Sequence, residues 1–293
     1  MFLFQRVEEL GVGSNSAMSD IADYILEDRQ RILEKSLQEV AQETFTSKAS
    51  VVRFAKGLGY SGWKAFLKEY LKELNYQQRF EAEVDFSYPF TDRDTPAQIS
   101  RNLRTLMVQT LDEMLENLDE AALTRFVNLM QRANRIVVFC VSPHTYSAQL
   151  FQRKMMTIQK PVQVVQAREM GLTARSMTPQ DLAIIISYSG MNVEAEPMTV
   201  VNYLKSHQVP VAAITSAGTN DLRREIDTVL TLTTREALYN KIATFSTEHS
   251  LQYLLNLLFS CYFARQYEKN WVNKVESARE LEKHRGRPAA IHE

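Results

Sequence analysis

The run Leu182-Ala183-Ile184-Ile185-Ile186 most restricts what this chain can become. Apolar residues without alternation describe a strand covered on both faces, as in a parallel sheet wrapped by helices. The strand around this run reads as Asp181–Tyr188, and comparable segments are Arg135–Val141, Val162–Gln166, Val209–Ser216 and Thr228–Thr233. Helices fit the intervals 145–158, 168–177, 193–206 and 219–225. This alternation predicts an α/β, doubly wound fold with a five-stranded parallel sheet. A later helix, from Ile242 to Tyr267, is rich in Leu and Phe and would cover the sheet or a subunit interface.

The N-terminal part has a different rhythm. Residues 18–75 read as helix throughout, the first helix marked by Ile21, Ile25 and Leu26 with Ser19 as its cap. A second helix carries Leu37, Val40 and Ala41 and ends near Thr44. A short turn then leads to Ser47, a natural N-cap, because its hydroxyl can accept a hydrogen bond from a first-turn amide. Beyond it Val51, Val52, Ala55 and Leu58 give a buried stripe, while Lys48, Ser50, Arg53 and Lys56 are expected on the outer faces. Gly57 and Gly59 stop the helix. This spacing is that of a helix-turn-helix. In a following helix Trp63, Phe66, Leu67, Tyr70 and Leu71 share one side, read as core.

From Thr44 to Lys68 there are five basic residues and no acidic one, although the net charge of the 293 residues is only −1. Attraction to nucleic acid must therefore be local. The acids Asp20, Asp23, Glu27, Asp28, Glu34, Glu39 and Glu43 fall before this stretch and would sit away from phosphate. Ser47, Lys48, Ser50 and Arg53 are the candidates for base edges or phosphates in a major groove, and Lys56 and Lys64, with Lys68, for phosphate. From Asn75 to Pro96 an acidic, proline-marked stretch (Glu81, Glu83, Asp85, Pro89, Asp92, Asp94) reads as a linker. A long amphipathic helix follows, through Ile99, Leu103, Leu106, Met107, Leu111, Met114 and Leu115. The expected domains are 1–77, 78–117 (linker and amphipathic helix), 118–268, and a helical tail at 269–293 that frays around Gly286-Arg287-Pro288.

In a doubly wound sheet, ligands bind at the carboxyl ends of strands. The loop Ser187-Tyr188-Ser189-Gly190-Met191-Asn192-Val193-Glu194 offers two hydroxyls, a glycine and an expected helix start, which would favour an anion. The alternative is a plain strand-to-helix turn. Cys140 and Cys261 are too isolated for a disulfide framework or a thiolate metal site, and the five histidines form no ligand-spaced cluster. The apolar start is too short for a signal peptide, and Leu251 to Phe263 falls short of a bilayer span. A cytoplasmic protein without membrane contact is expected.

These blocks carry a resemblance. Met18 to Leu26, Leu37 to Ala41 and Ser47 to Trp63, with Ile186-Ser187-Tyr188-Ser189-Gly190, Ala213-Ile214-Thr215 and Arg235-Glu236-Ala237, look like the RpiR family of bacterial transcriptional regulators. That family joins an RpiR-type helix-turn-helix domain to a sugar isomerase (SIS) domain. The resemblance implies a regulator, more often a repressor, of sugar or amino-sugar metabolism genes. It further implies a homodimer or tetramer on a palindromic operator, with a sugar-phosphate effector and no cofactor.

Ser187 and Ser189 match the positions that would hold the phosphate, beside Gly190, Asn192 and Glu194. Two departures stand out. Asn192 replaces the usual Thr, and Cys140-Val141-Ser142-Pro143-His144 replaces Gly-x-Gly-x-Ser, with Ala148 retained. Without those glycines the backbone cannot approach a phosphate so closely, so Ser142 and His144 become the candidates there, His144 weighed against a merely solvated loop histidine. Two alternatives stay open. One is an SIS-type isomerase or lyase using Glu236, Glu248 and His249, each also explicable as helix capping or surface polarity. The other is a degenerate SIS domain that only dimerises.

Overall fold

A computed structural model describes residues 3–12, 16–79, 83–218 and 220–283. Met1, Phe2, Glu81, Thr219 and the Gly286-Arg287-Pro288 tail therefore lie outside the described residues. The chain forms two compact units: Met1–Glu116 with Thr233–Thr247, and Asn117–Leu232 with Glu248–Glu293.

The first unit contains α1 (Leu3–Val12), α2 (Ser16–Glu27), a 3-10 turn (Arg31–Glu34), α3 (Leu37–Glu43), α4 (Lys48–Gly57), α5 (Trp63–Arg79) and α6 (Pro96–Glu116). Its core joins Phe4, Val7, Ile21, Ile25, Ile32, Val40, Val51, Phe54, Phe66 and Tyr70, all buried. The rings of Phe54 and Phe66 meet edge-on at 6.2 Å, and Tyr70 stands 5.5 Å from Phe66 and 5.0 Å from Phe4. Each such side chain contributes on the order of 1.5–3 kcal/mol by leaving water.

Helix α1 precedes the stretch 18–75 in which the periodicity predicts helix. Leu3, Phe4 and Val7 fall on one face, and Glu73 of α5 accepts from the amides of Leu3 and Phe4, the second at 2.9 Å. A carboxylate brought from a distant helix thus satisfies first-turn amides of α1. Ser19 lies inside α2 rather than capping it, since that helix starts at Ser16. Val52 is only half-buried, and Phe54 takes its place in the inward stripe of α4. Within the expected linker Phe86 is buried, and Asn102 of α6 donates to the Pro89 carbonyl at 2.8 Å.

The second unit is built on a parallel five-stranded sheet ordered β2-β1-β3-β4-β5: β1 (Ile136–Cys140), β2 (Val162–Val164), β3 (Leu182–Ile186), β4 (Val211–Ser216) and β5 (Val229–Leu232). Every residue of β1 and β3 is buried, which is why these strands read as unbroken apolar runs. Around them lie α7 (Glu120–Arg132), α8 (His144–Met156), α9 (Met170–Arg175), α10 (Val201–Ser206), α11 (Asp221–Glu225), α12 (Phe245–Arg265) and α13 (Tyr267–Glu282). Val137, Phe139, Ala183, Ile185 and Ala213 pack with Met170, Ala174, Leu204 and Leu222 from α9, α10 and α11. Among the described residues no helix is long and apolar enough to cross a membrane.

Candidate functional site

Helix α4 begins as its sequence dictates. Ser47 accepts from the Ser50 amide at 3.1 Å, and the two hydroxyls lie 2.9 Å apart. Ser50 departs from expectation: it is buried rather than outward, 6% exposed. Its hydroxyl accepts from the Arg53 guanidinium at 3.0 Å, so its role is to hold Arg53 one turn along the helix. Lys48 is exposed and reaches the Gln38 side-chain carbonyl on α3 at 2.9 Å. Arg53, Lys56, Lys64 and Lys68 are all exposed.

Among the described residues none of these five cations has a salt-bridge partner. Three other cations of the unit are paired, Arg31 with Glu27 at 3.2 Å, Lys35 with Glu43 at 2.6 Å and Lys72 with Glu69 at 2.7 Å. The Glu43 carboxyl is held below its usual range, first by the hydrogen bond from Lys35 and then by Tyr24, whose hydroxyl donates at 2.6 Å. Glu39 closes a capping box with Ser36 at the start of α3. Three of the acids that precede the basic stretch therefore have partners of their own.

In the second unit, register aligns Cys140 with Ile186 and Ile186 with Ile214. The segments after β1, β3 and β4 consequently leave the sheet at the same end. Ser187 is buried and its hydroxyl accepts from the Gly190 amide at 3.2 Å. Gly190 has φ +60°, and a Cβ there would lie 2.6 Å from both the Thr215 hydroxyl and the Asn220 carbonyl oxygen, so only glycine fits. Its carbonyl accepts from Leu222 at 3.0 Å, while Asn220 caps α11 through the Arg223 amide at 2.9 Å. Ser189 is half-exposed and accepts from Met191 at 3.4 Å; Asn192 and Glu194 are exposed.

Two expectations about this end of the sheet are corrected. No helix starts at 193: a 3-10 turn occupies Met198–Val200 and α10 begins only at Val201. The helix start that adjoins the glycine loop is that of the short α11, whose Leu222 amide donates to Gly190, and not the one expected at 193. His144 is not solvated. It is the first residue of α8, buried, with an Nδ1 that has no hydrogen-bond partner among the described residues. Burial pushes its pKa down, opposed by the charge of Glu248. Ser142 is exposed.

The segment Thr233–Thr247 carries a constellation that the sequence did not disclose. Glu236 is fully buried, and its carboxylate accepts from the Thr247 hydroxyl at 2.7 Å and from the amides of Ser246 and Thr247 at the start of α12. The Glu8 carboxylate of α1 accepts from the amides of Leu238, Tyr239 and Asn240 at 2.6, 3.0 and 2.9 Å. Arg235 pairs with the buried Glu113 of α6 at 2.7 Å. Only the isolated acids gave any signal, and sequence distance hid their partners. Glu248 is exposed and His249 half-buried.

Comparison with known proteins finds a helix-turn-helix match at the N-terminal side and an SIS match that also takes in Thr233–Thr247. A model of the rpiR-family helix-turn-helix domain matches residues 1–76, and an SIS domain model matches residues 129–259. An uncharacterised HTH-type transcriptional regulator of Clostridium perfringens is 20% identical over 278 residues, covering 94% of this chain and 98% of its own. The uncharacterised HTH-type transcriptional regulator YfhH of Escherichia coli is 27% identical over 268 residues, covering 90% and 92%. The Vibrio vulnificus NanR protein, solved in complex with ManNAc-6P, shares the fold with a TM-score of 0.58 at 18% identity, over 95% of this chain and 98% of that one.

Proposed function

We propose, for a chain that belongs to the RpiR family of helix-turn-helix transcriptional regulators, that α4 enters the major groove of a palindromic operator. The observation that carries this reading is the set of unpaired cations around α4, with Arg53 held in place by Ser50. Arg53 and Lys48 would meet bases or phosphates near the helix start, where the Ser47 side chain also lies. Lys56 and Lys64 would neutralise phosphate. Two copies in a homodimer, or pairs of dimers, would address half-sites about one helical turn apart. The regulator works in the cytoplasm as a repressor of sugar or amino-sugar genes.

The effector in this reading is a phosphorylated sugar at the carboxyl end of the sheet, held by Ser187, Ser189, Gly190, Asn192 and Glu194, with Ser142 and His144 across the β1 loop. NanR, solved with ManNAc-6P, supports a sugar phosphate on this fold. The signal would pass along Thr233–Thr247, which continues from β5 and is held by Glu8 and Gln5 of α1. Its influence equals the effector's differential affinity for the two arrangements. Catalysis is not part of the proposal, because the Glu236 carboxylate is taken up by the first turn of α12. A dimerising domain without effector is the second reading, favoured by the Ser187 hydroxyl already serving its own loop.

Arg53→Ala tests the interface. Operator affinity, read by fluorescence anisotropy, should fall by about 5- to 150-fold, with an unchanged circular dichroism spectrum. Unchanged affinity would remove Arg53 from the interface.

A further inference from the structure

The turn between α3 and α4 contains a residue that the fold does not account for. Phe45 donates its amide to the Gln42 carbonyl at 3.1 Å, and Thr46 donates to the Ala41 carbonyl at 2.8 Å. This two-bond helix cap places its middle residue in the left-handed region, where glycine is the default. Phe45 has φ +52°. The same pair of bonds ends α4, α8 and α10, and there Gly59 (φ +84°), Gln159 (φ +61°) and Gln208 (φ +57°) hold the position. Three caps carry glycine or a hydrophilic side chain. The fourth carries an aromatic ring that is 97% exposed, more than any other large hydrophobic among the described residues.

The ring therefore combines an unfavourable backbone with an unfavourable surface, and an outlier of that kind points to a role outside the fold. Its position narrows the role. Phe45 stands two residues before Ser47, the cap of α4, and three before Lys48. Gln42, Glu43, Ser47 and Lys48 around it in sequence are exposed and polar, so a single ring is presented rather than the apolar patch a protein partner would bury. On the α4 side of the ring the surface is cationic through Lys48, Arg53 and Lys56 and suits a polyanion, while Glu43 on the α3 side is paired with Lys35. Duplex DNA offers isolated apolar groups in its major groove, the C5-methyls of thymine, which side chains such as Phe contact.

We propose that Phe45 is a specificity-determining contact of the α4 interface, its ring packing on a thymine methyl at the groove edge. This rests on the DNA-binding reading above. Such a contact selects for thymine without neutralising any phosphate, so it differs in kind from those of Lys48, Lys56 and Lys64.

The experiment uses the full-length protein and a duplex that it selects from randomised DNA, with affinity measured across a salt series. Phe45→Gly, which suits the backbone, should keep or raise thermal stability and weaken binding roughly tenfold. The slope of log affinity against log salt should not change, because no counterion release is lost. Replacing thymines one at a time by deoxyuracil should weaken the wild-type protein at one position in each half-site and leave Phe45→Gly indifferent there. The proposal is overturned if Phe45→Gly binds as tightly as wild type, or if its loss is equal on every uracil duplex. Arg53→Ala run in parallel separates the two claims. Loss in that variant beside a neutral Phe45→Gly removes Phe45 alone, whereas two neutral variants, or no selected duplex, remove the interface as well.

Discussion

The cations of α4 and of the start of α5 are exposed and without ion pairs among the described residues, whereas the loop after β3 turns the hydroxyls of Ser187 and Ser189 onto its own backbone. Lys56, Lys64 and Lys68 are exposed without ion pairs among the described residues, while Arg53 is held by the buried Ser50 hydroxyl and Lys48 donates to Gln38. In the β3 loop, Ser187 closes a turn, Gly190 fits against Thr215 and Asn220, and Tyr188 accepts from Ser216 at 3.1 Å. The difference follows from what carries each shape. A helix satisfies its backbone internally, leaving side chains available, while an irregular loop at a sheet end must use side chains to satisfy its amides.

The largest test of this contrast is Gly190→Ala. A methyl group at φ +60°, 2.6 Å from two oxygens, should destabilise the second unit by about 2–4 kcal/mol in chemical denaturation, while DNA contacts of α4 keep their salt dependence. A cost near zero would mean that the loop is not rigid, and the contrast would fail. A smaller effect separates the two serines. Ser187→Ala leaves the buried Gly190 amide without its acceptor and should cost about 1 kcal/mol. Ser189→Ala, half-exposed, should change stability by less than about 0.5 kcal/mol and yet diminish thermal stabilisation by sugar phosphates. Equal stability losses would erase the distinction between a loop-building and a ligand-facing hydroxyl.

The smallest effect concerns His144. Burial holds its folded pKa below the ordinary 6.5, so its contribution to stability is complete above that value. That contribution is lost as pH falls through the interval down to the folded pKa, with a slope of at most about 1.4 kcal/mol per pH unit. His144→Gln should flatten this part of the pH–stability curve. A bound phosphate next to the ring would favour the protonated form, so sugar-phosphate affinity should rise as the pH drops below 6.5 in wild type and not in the variant.

Much of the molecule was legible where interactions are short in sequence. Ser47 caps α4 through a residue three positions away, and the period of Val51, Ala55 and Leu58 marks the inward side of the same helix. Leu182 to Ile186 announced a central strand, because a strand covered on both faces has no room for polar side chains. Legibility ended where a partner lies far along the chain. Ser50 reads as a groove-facing hydroxyl yet is buried, and α1 is held by Glu73, some seventy positions along the chain, which accepts its amides. The site at the sheet end was readable as a place, from strand ends and glycine, but not as an arrangement. The close packing of Gly190 against Asn220 and Thr215 joins residues 25 to 30 positions apart, which no local pattern shows.

The amino-acid sequence by itself determined the helix-turn-helix, the five parallel strands and the concentration of positive charge around α4, since each follows from periodicity, capping and composition within a few residues. Only the tertiary structure decided that Ser50 faces inward to hold Arg53, that His144 is enclosed, and that Glu8 grips the amides of residues 238–240. Burial and pairing between residues more than two hundred positions apart are properties of the packed chain, and no local pattern encodes them.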